Sequence, residues 1–194
     1  SSISSVAITG SAGKTSLKEM LGQMISKLCQ TSYSKRSFNN KYGVPISLFN
    51  INEGDKIGIF EVGMNKKGEI DLLTKNILPN IGVITNISYA HIENFKNLKS
   101  IAQAKSEIID NIVENGTIIL NADDQFFNFF KSKAKKKNLR IISFGIKHNS
   151  NLHLFKIKHE KTNCILFINY NNSNLVFSIK KNLSFIFPVS YTHL

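Results

Sequence analysis

The stretch Val6-Ala7-Ile8-Thr9-Gly10-Ser11-Ala12-Gly13-Lys14-Thr15-Ser16 constrains this chain more than any other. A short apolar strand runs into a glycine-bearing turn, and the turn into a helix beginning near Lys14. Backbone N–H groups of such a turn point inward and the helix adds its positive end, so the turn forms a cradle for phosphate. Lys14 reaches the outer phosphates as a point charge, and the Thr15 hydroxyl is placed to hold Mg²⁺. The complete P-loop pattern carries a further glycine five positions before Gly13, where this chain has Ile8. What remains, Gly-x-x-Gly-Lys-Thr, also arises by chance on ordinary strand–turn–helix units, so the rest of the chain has to decide.

From Val6 to about Gly145, short β-branched runs alternate with longer helical stretches. Strands are expected at 6–9, 57–61, 81–85, 117–120 and 140–144, and helices at 14–28, 97–113 and 125–137. In the first helix Leu17, Met20, Leu21, Met24, Ile25 and Leu28 recur at helical spacing and are expected in the core. This alternation predicts an α/β fold, a mostly parallel P-loop-type sheet with flanking helices. After Gly145 the texture changes to short alternating runs at 152–158, 164–170 and 175–180, separated by turns such as Asn171-Asn172-Ser173-Asn174. These predict a C-terminal antiparallel meander. Residues 185–194 carry no helix or strand signal.

A chain of 194 residues fits one domain with a small appendage. With 42% hydrophobic and 20% charged residues it reads as soluble and globular, and no apolar run is long enough to span a bilayer. The N-terminus lacks a basic segment followed by an apolar one, so no signal peptide is expected. Cys29 and Cys164 lie far apart without metal-ligand spacing, as reduced thiols of a cytoplasmic protein would. The formal charge of +12 raises the question of nucleic acid. Much of the excess is scattered Lys, or the run Lys131, Lys133, Lys135, Lys136 and Lys137, which suits the basic end of a helix. No aromatic-interleaved basic strip accompanies it, so specific nucleic-acid binding is not expected, and attraction of phosphate-bearing substrates is the milder inference.

In an open parallel sheet, ligands bind beyond the carboxyl ends of the strands. Polar side chains follow four of the expected strands: Gly10–Ser16, then Glu61-Val-Gly-Met-Asn65, then Thr85-Asn86 with His91 further on, then Asn121-Ala-Asp-Asp124. Each also has a plainer reading. Glu61 suits a surface carboxylate, His91 a hydrogen-bonded loop histidine, and Asn121 to Asp124 a turn with a helix cap. Their joint placement beside a phosphate cradle favours a site. Mg²⁺ prefers oxygen ligands and keeps waters, which makes Thr15 and Glu61 a sensible pair and His91 a less usual ligand.

Taken in order, these blocks resemble the central, ATP-binding domain of the Mur ligases, the amide-forming enzymes of peptidoglycan precursor synthesis. The resemblance covers about Val6 to Phe144. It rests on Gly10–Ser16 continuing into Lys18-Glu19-Met20-Leu21, on Phe38-Asn39-Asn40-Lys41-Tyr42-Gly43-Val44-Pro45, and on Glu61–Asn65 with Gly68-Glu69-Ile70. It continues through Thr85-Asn86-Ile87 with Ala90-His91, Ile101-Ala-Gln-Ala-Lys105-Ser-Glu107-Ile108, and Leu120–Asp124. Within the family, the Lys-Glu-Met and Phe-Asn-Asn…Gly-Val-Pro blocks favour the member that joins D-alanyl-D-alanine to UDP-N-acetylmuramoyl-tripeptide.

The resemblance implies that Gly10, Ser11, Ala12, Gly13, Lys14, Thr15 and Ser16 hold ATP, with Asn86 nearby. It implies Mg²⁺ sites built by Thr15, Glu61 and His91. Lys105 matches the lysine that many family members carbamylate with CO₂, which converts an ammonium into an anion able to support a second Mg²⁺. Lys14, Lys105 and His91 are thus the implied catalytic groups, and Asn39 and Asn40 resemble substrate-lining asparagines. A surface ion pair would be the plainer role for Lys105, but Ile101, Ala102, Ile108 and Ile109 occupy its helical neighbour positions, and Glu107 lies on another face. The implied protein is a cytoplasmic bacterial monomer. Residues 1–184 would be the central domain, with an α/β core to 145, antiparallel strands over 146–184 and an unmatched tail over 185–194. The family's N-terminal and C-terminal domains are not matched, so the chain by itself is expected to lack ligase activity. Another Mur ligase, folylpolyglutamate synthase, or a phosphate-binding regulatory or nucleic-acid-binding module are the alternatives.

Overall fold

The computed structural model describes residues 3–35, 37–89, 95–147 and 150–180. Its strands are β1 (Ser4–Thr9), β2 (Thr31–Tyr33), β3 (Ile57–Glu61), β4 (Ile81–Ile84), β5 (Thr117–Asn121), β6 (Arg140–Gly145), β7 (Leu152–His159), β8 (Asn163–Tyr170) and β9 (Ser173–Lys180). Its helices are α1 (Lys14–Ile25), α2 (Gly43–Phe49), α3 (Glu69–Ile77), α4 (Leu98–Lys105), α5 (Glu107–Asp110) and α6 (Phe127–Lys136).

All nine described strands form one sheet in the order β2-β3-β1-β4-β5-β6-β7-β8-β9. The first seven pair in parallel. The β7–β8 and β8–β9 pairs are antiparallel, as the alternating sequence predicts. Asn171 and Asn172 turn β8 into β9 with positive φ at both residues, 49° and 63°. Asn tolerates that left-handed region better than other side-chain-bearing residues. Because β1 lies between β3 and β4, the chain leaves β1 to build one side of the sheet and later returns to build the other. The ligand crevice of an open α/β sheet forms at such a reversal.

Helices cover both faces of the parallel part. On one face Leu17, Leu21 and Ile25 of α1 pack against Val6, Ile8, Ile59 and Val83. On the other, α2 to α6 cover a larger core that includes Phe60, Ile70, Leu73, Ile101, Ile108, Leu120 and Phe130. Burying a side chain of this size contributes about 1.5–3 kcal/mol. The first helix is shorter than its periodicity suggests. It ends at Ile25, where the Ser26 hydroxyl donates to the Gly22 carbonyl at 2.6 Å and competes with the backbone ladder. Met24 and Leu28, expected in the core, are 60% and 85% exposed. The single helix expected over 97–113 divides into α4 and α5 around Ser106. It starts where Asn97 and Ser100 form a reciprocal capping box.

Candidate active site

The site begins where β1 ends. Ile8 is fully buried inside the strand, paired with Glu61 on one side and Val83 on the other. The position where the P-loop pattern has a glycine is therefore ordinary sheet in this chain. The turn starts at Gly10, whose φ of 146° and lack of a Cβ both matter, because a Cβ there would run into the Thr85 hydroxyl. Gly13, left-handed at φ 80°, caps α1.

The turn is held from the β4 side. Ser11 N donates to the Asn86 carbonyl at 2.9 Å, and Ala12 N to Asn86 Oδ1 at 3.0 Å. The Thr85 hydroxyl donates to the Ala12 carbonyl at 2.6 Å. The Ser11 hydroxyl donates to the Ser88 carbonyl and accepts from Ser88 N, at 3.0 and 2.9 Å. Ser11 and Asn86 thus brace the cradle. The first-turn N–H groups of α1, which have no acceptor within the helix, are left to face a ligand.

Two lysines converge on this turn. Lys14 Nζ and Lys105 Nζ both donate to the Gly10 carbonyl, each at 2.9 Å. Lys105 arrives from the end of α4 and is only 2% exposed. Burial first, and the neighbouring Lys14 charge second, bring its pKa down from 10.5 to about 7. Burial also lowers the Lys14 pKa, against a smaller opposite pull from Glu61.

Glu61 ends β3 and is 1% exposed. Its Oε2 accepts from the Thr15 hydroxyl at 2.8 Å, and its Oε1 accepts from Asn39 Nδ2 at 2.8 Å. The surface-carboxylate reading of Glu61 therefore fails. Asn39 lies close because Gly63 leaves room for it: a Cβ at Gly63 would sit 3.0 Å from the Asn39 amide carbon. Asn40 Oδ1 accepts from Tyr42 N and Gly43 N at 3.0 and 2.9 Å, which starts α2. Among the described residues, no group of three or more His, Cys, Asp or Glu gathers to hold a metal on its own. The Thr15–Glu61 pair instead offers two oxygen ligands, the donor set of a Mg²⁺ that takes its other ligands from phosphate and water.

Lys14 and Lys105 open into a cleft of about 400 Å³ lined also by Asn39, Asn40, Tyr42 and Glu69. His91 lies outside the described residues. Asp123 and Asp124 prove to be braces. Asp123 accepts from Ile146 N and Lys147 N at 2.8 and 3.3 Å, and Asp124 from Ile87 N and Phe126 N at 2.6 and 2.8 Å. Thr85 and Gly63 stand in the strand-end blocks of the sequence, but their roles, a hydroxyl on the Ala12 carbonyl and room for Asn39, depend on contacts between distant segments.

The profile of the Mur ligase middle domain matches residues 8–183. A UDP-N-acetylmuramoyl-tripeptide–D-alanyl-D-alanine ligase from Buchnera aphidicola subsp. Baizongia pistaciae is 42% identical over 149 residues, 76% of this chain and 32% of that protein. The chain thus spans about a third of the length of such relatives. Its fold matches MurF from Acinetobacter baumannii at TM-score 0.85 and 30% identity, over 92% of this chain and 38% of that one. MurF from Thermotoga maritima, solved in complex with ADP, matches at TM-score 0.81 and 26% identity, over 92% of this chain and 40% of that one. The matched span covers the cradle, the Glu61 strand end and Lys105 together, and the chain belongs to the Mur ligase middle-domain family.

Proposed function

We propose that residues 1–184 are the nucleotide-binding middle domain of an ATP-dependent amide ligase that joins D-alanyl-D-alanine to UDP-N-acetylmuramoyl-tripeptide. The observation that carries this is the convergence of three separate segments at one point: Lys14 and Thr15 at the start of α1, Glu61 at the end of β3 and Lys105 at the end of α4. A phosphate-binding module without chemistry would need the cradle and Lys14. It would not need a second lysine buried against the cradle carbonyl, beside a carboxylate held by a threonine and an asparagine.

Within this reading the turn and Lys14 bind the triphosphate of ATP. Thr15 and Glu61 would hold Mg²⁺, with His91 as a further ligand, and the ion would neutralise charge developing on the transferred phosphoryl group. Phosphoryl transfer needs positioning and charge neutralisation more than covalent help from the protein. The terminal carboxylate of the tripeptide attacks the γ-phosphorus, giving an acyl phosphate and ADP. The amine of D-alanyl-D-alanine then attacks the acyl carbon, and phosphate leaves. Lys105 suits carbamylation, because an amine must be neutral to add to CO₂, and a pKa of about 7 leaves a large neutral fraction at physiological pH. Asn39 and Asn40 line the cleft where the peptide end would lie.

Phosphate release by the intact protein, with each carboxylate substrate and each amino substrate supplied in turn, tests this. Release that requires both UDP-tripeptide and D-alanyl-D-alanine supports it. Release driven instead by folate and glutamate would assign the chain to the folylpolyglutamate synthase branch. Nucleotide binding with no acceptor-dependent release would leave only a phosphate-binding module.

A further inference from the structure

Glu107, two residues beyond Lys105, is 9% exposed, and its carboxylate serves a different segment. Oε1 and Oε2 accept from Gly68 N at 2.8 and 3.1 Å, and Oε2 accepts from Asp71 N at 3.1 Å. These are the opening N–H groups of α3. Its N-cap Gly68, left-handed at φ 90°, has no side chain with which to cap it. The acids of α3 are committed elsewhere: Glu69 accepts from Asn65 N and Lys66 N, and Asp71 from Lys75 and Asn111. Glu107 therefore caps α3 from another helix, where a carboxylate also meets the positive end of the helix dipole.

The cap joins two walls of one cleft. Helix α3 contributes Glu69, Leu72 and Leu73 to the lining, and the segment bearing Glu107 contributes Lys105. Asn111 adds a second tie, donating to the Asp71 carbonyl at 3.2 Å and to Thr74 Oγ1 at 2.9 Å. On the far side Lys133 of α6 donates to the Ser106 carbonyl at 2.9 Å and to Asp110 at 2.6 Å. Residues 105–111 are thus fixed between the cradle, α3 and α6. Removing the carboxylate would leave two opening N–H groups of α3 without their acceptor and free the α4–α5 junction to shift.

We propose that Glu107 is a positioning residue, which holds Lys105 against Gly10 and sets its separation from the α3 wall. Its consequence for turnover rests on the ligase reading above; its consequence for Lys105 does not. The test uses the intact protein with Glu107→Ala and Glu107→Gln, reading acetic anhydride labelling of Lys105 and Lys14 by mass spectrometry beside acceptor-dependent phosphate release. In Glu107→Ala, Lys105 labelling rises about tenfold while Lys14 labelling stays within about twofold of wild type, as expected for local rather than global opening. Its kcat falls about tenfold or more, with the nucleotide KM within about twofold, because the cradle itself is untouched. Glu107→Gln keeps an acceptor oxygen and brings both readouts back to within about threefold of wild type. Should Glu107→Ala fail to fold, Glu107→Asp, one methylene shorter, takes its place with the same expected pattern. Unchanged Lys105 labelling overturns the proposal, as does a parallel rise at Lys14 and Lys105 in both variants, the mark of general loosening. A wild type without acceptor-dependent phosphate release defeats the ligase reading, and the labelling still decides the role of Glu107.

Discussion

The Nζ atoms of Lys14 and Lys105 share one acceptor, the Gly10 carbonyl, at 2.9 Å each. Two ammonium groups meeting at a single buried oxygen repel each other, and the more buried of the two, Lys105, yields its proton more readily. Burial lowers the Lys14 pKa as well, against a smaller opposite pull from Glu61. In the proposed ligase, Lys14 is the lysine that meets phosphate and Lys105 the one that reacts as a neutral amine.

That arrangement gives stability a pH dependence. The folded-state pKa of Lys105 is about 7 against 10.5 for an ordinary lysine, so between those values the unfolded chain binds the extra proton. Stability from this group therefore rises with pH across that window and is lowest below it. Lys105→Met is expected to stabilise the fold at pH 7 by about 1–3 kcal/mol and to flatten the slope between pH 7 and 10. Urea melts at several pH values read this, and an unchanged slope in the variant would contradict it.

Lys14→Ala removes the charge on the cradle but no core packing. It is expected to lower nucleotide-dependent turnover about a hundredfold or more, with the thermal midpoint of the protein without nucleotide unchanged within a few degrees. Turnover close to wild type would show that Lys14 is not on the phosphates.

Thr15→Val and Asn39→Ala test the Glu61 arrangement from its two sides. Thr15→Val deletes a proposed metal ligand, and Asn39→Ala frees the Glu61 carboxylate from its anchor. Titration with Mn²⁺ in the presence of ADP, followed by electron paramagnetic resonance, is expected to show weaker metal binding in both, by about tenfold. Binding of wild-type strength in both would place the metal elsewhere.

Gly10→Ala brings a Cβ against the Thr85 hydroxyl and a strained backbone together. It is expected to cost about 1–3 kcal/mol of stability and most of the nucleotide affinity. Thr85→Gly in the same chain relieves the contact but not the φ, so it should recover only part of the loss.

Much of this was legible in the sequence because it depends on local pattern. The apolar runs that became β1, β3, β4, β5 and β6 stand out between helical stretches, and the glycine turn with Lys14 follows the first of them directly. Strand β2, three half-buried residues at the sheet edge, has too little periodicity to read. Helix α2 begins Gly43-Val44-Pro45, residues that mask a helix start. Helix α3 carries acids in its first turn and Lys75 in its last, but it draws its cap from Glu107, far along the chain. In α1 the helical spacing of apolar residues overstated the core: Lys18 is fully buried while Met24 and Leu28 are exposed. The site residues were legible as a set through their position at strand ends. Which of them brace and which bind was not, since Asp123, Asp124 and Ser11 take their partners from segments that meet only in the fold.

A crystal structure of the intact protein with Mg²⁺ and a non-hydrolysable ATP analogue decides whether the turn 10–16 is the triphosphate site. Phosphates are expected in the turn 10–16, with Lys14 Nζ moved from the Gly10 carbonyl onto them and Mg²⁺ bound between Thr15 and Glu61. A nucleotide bound away from this turn, with Lys14 still on Gly10, would contradict that placement.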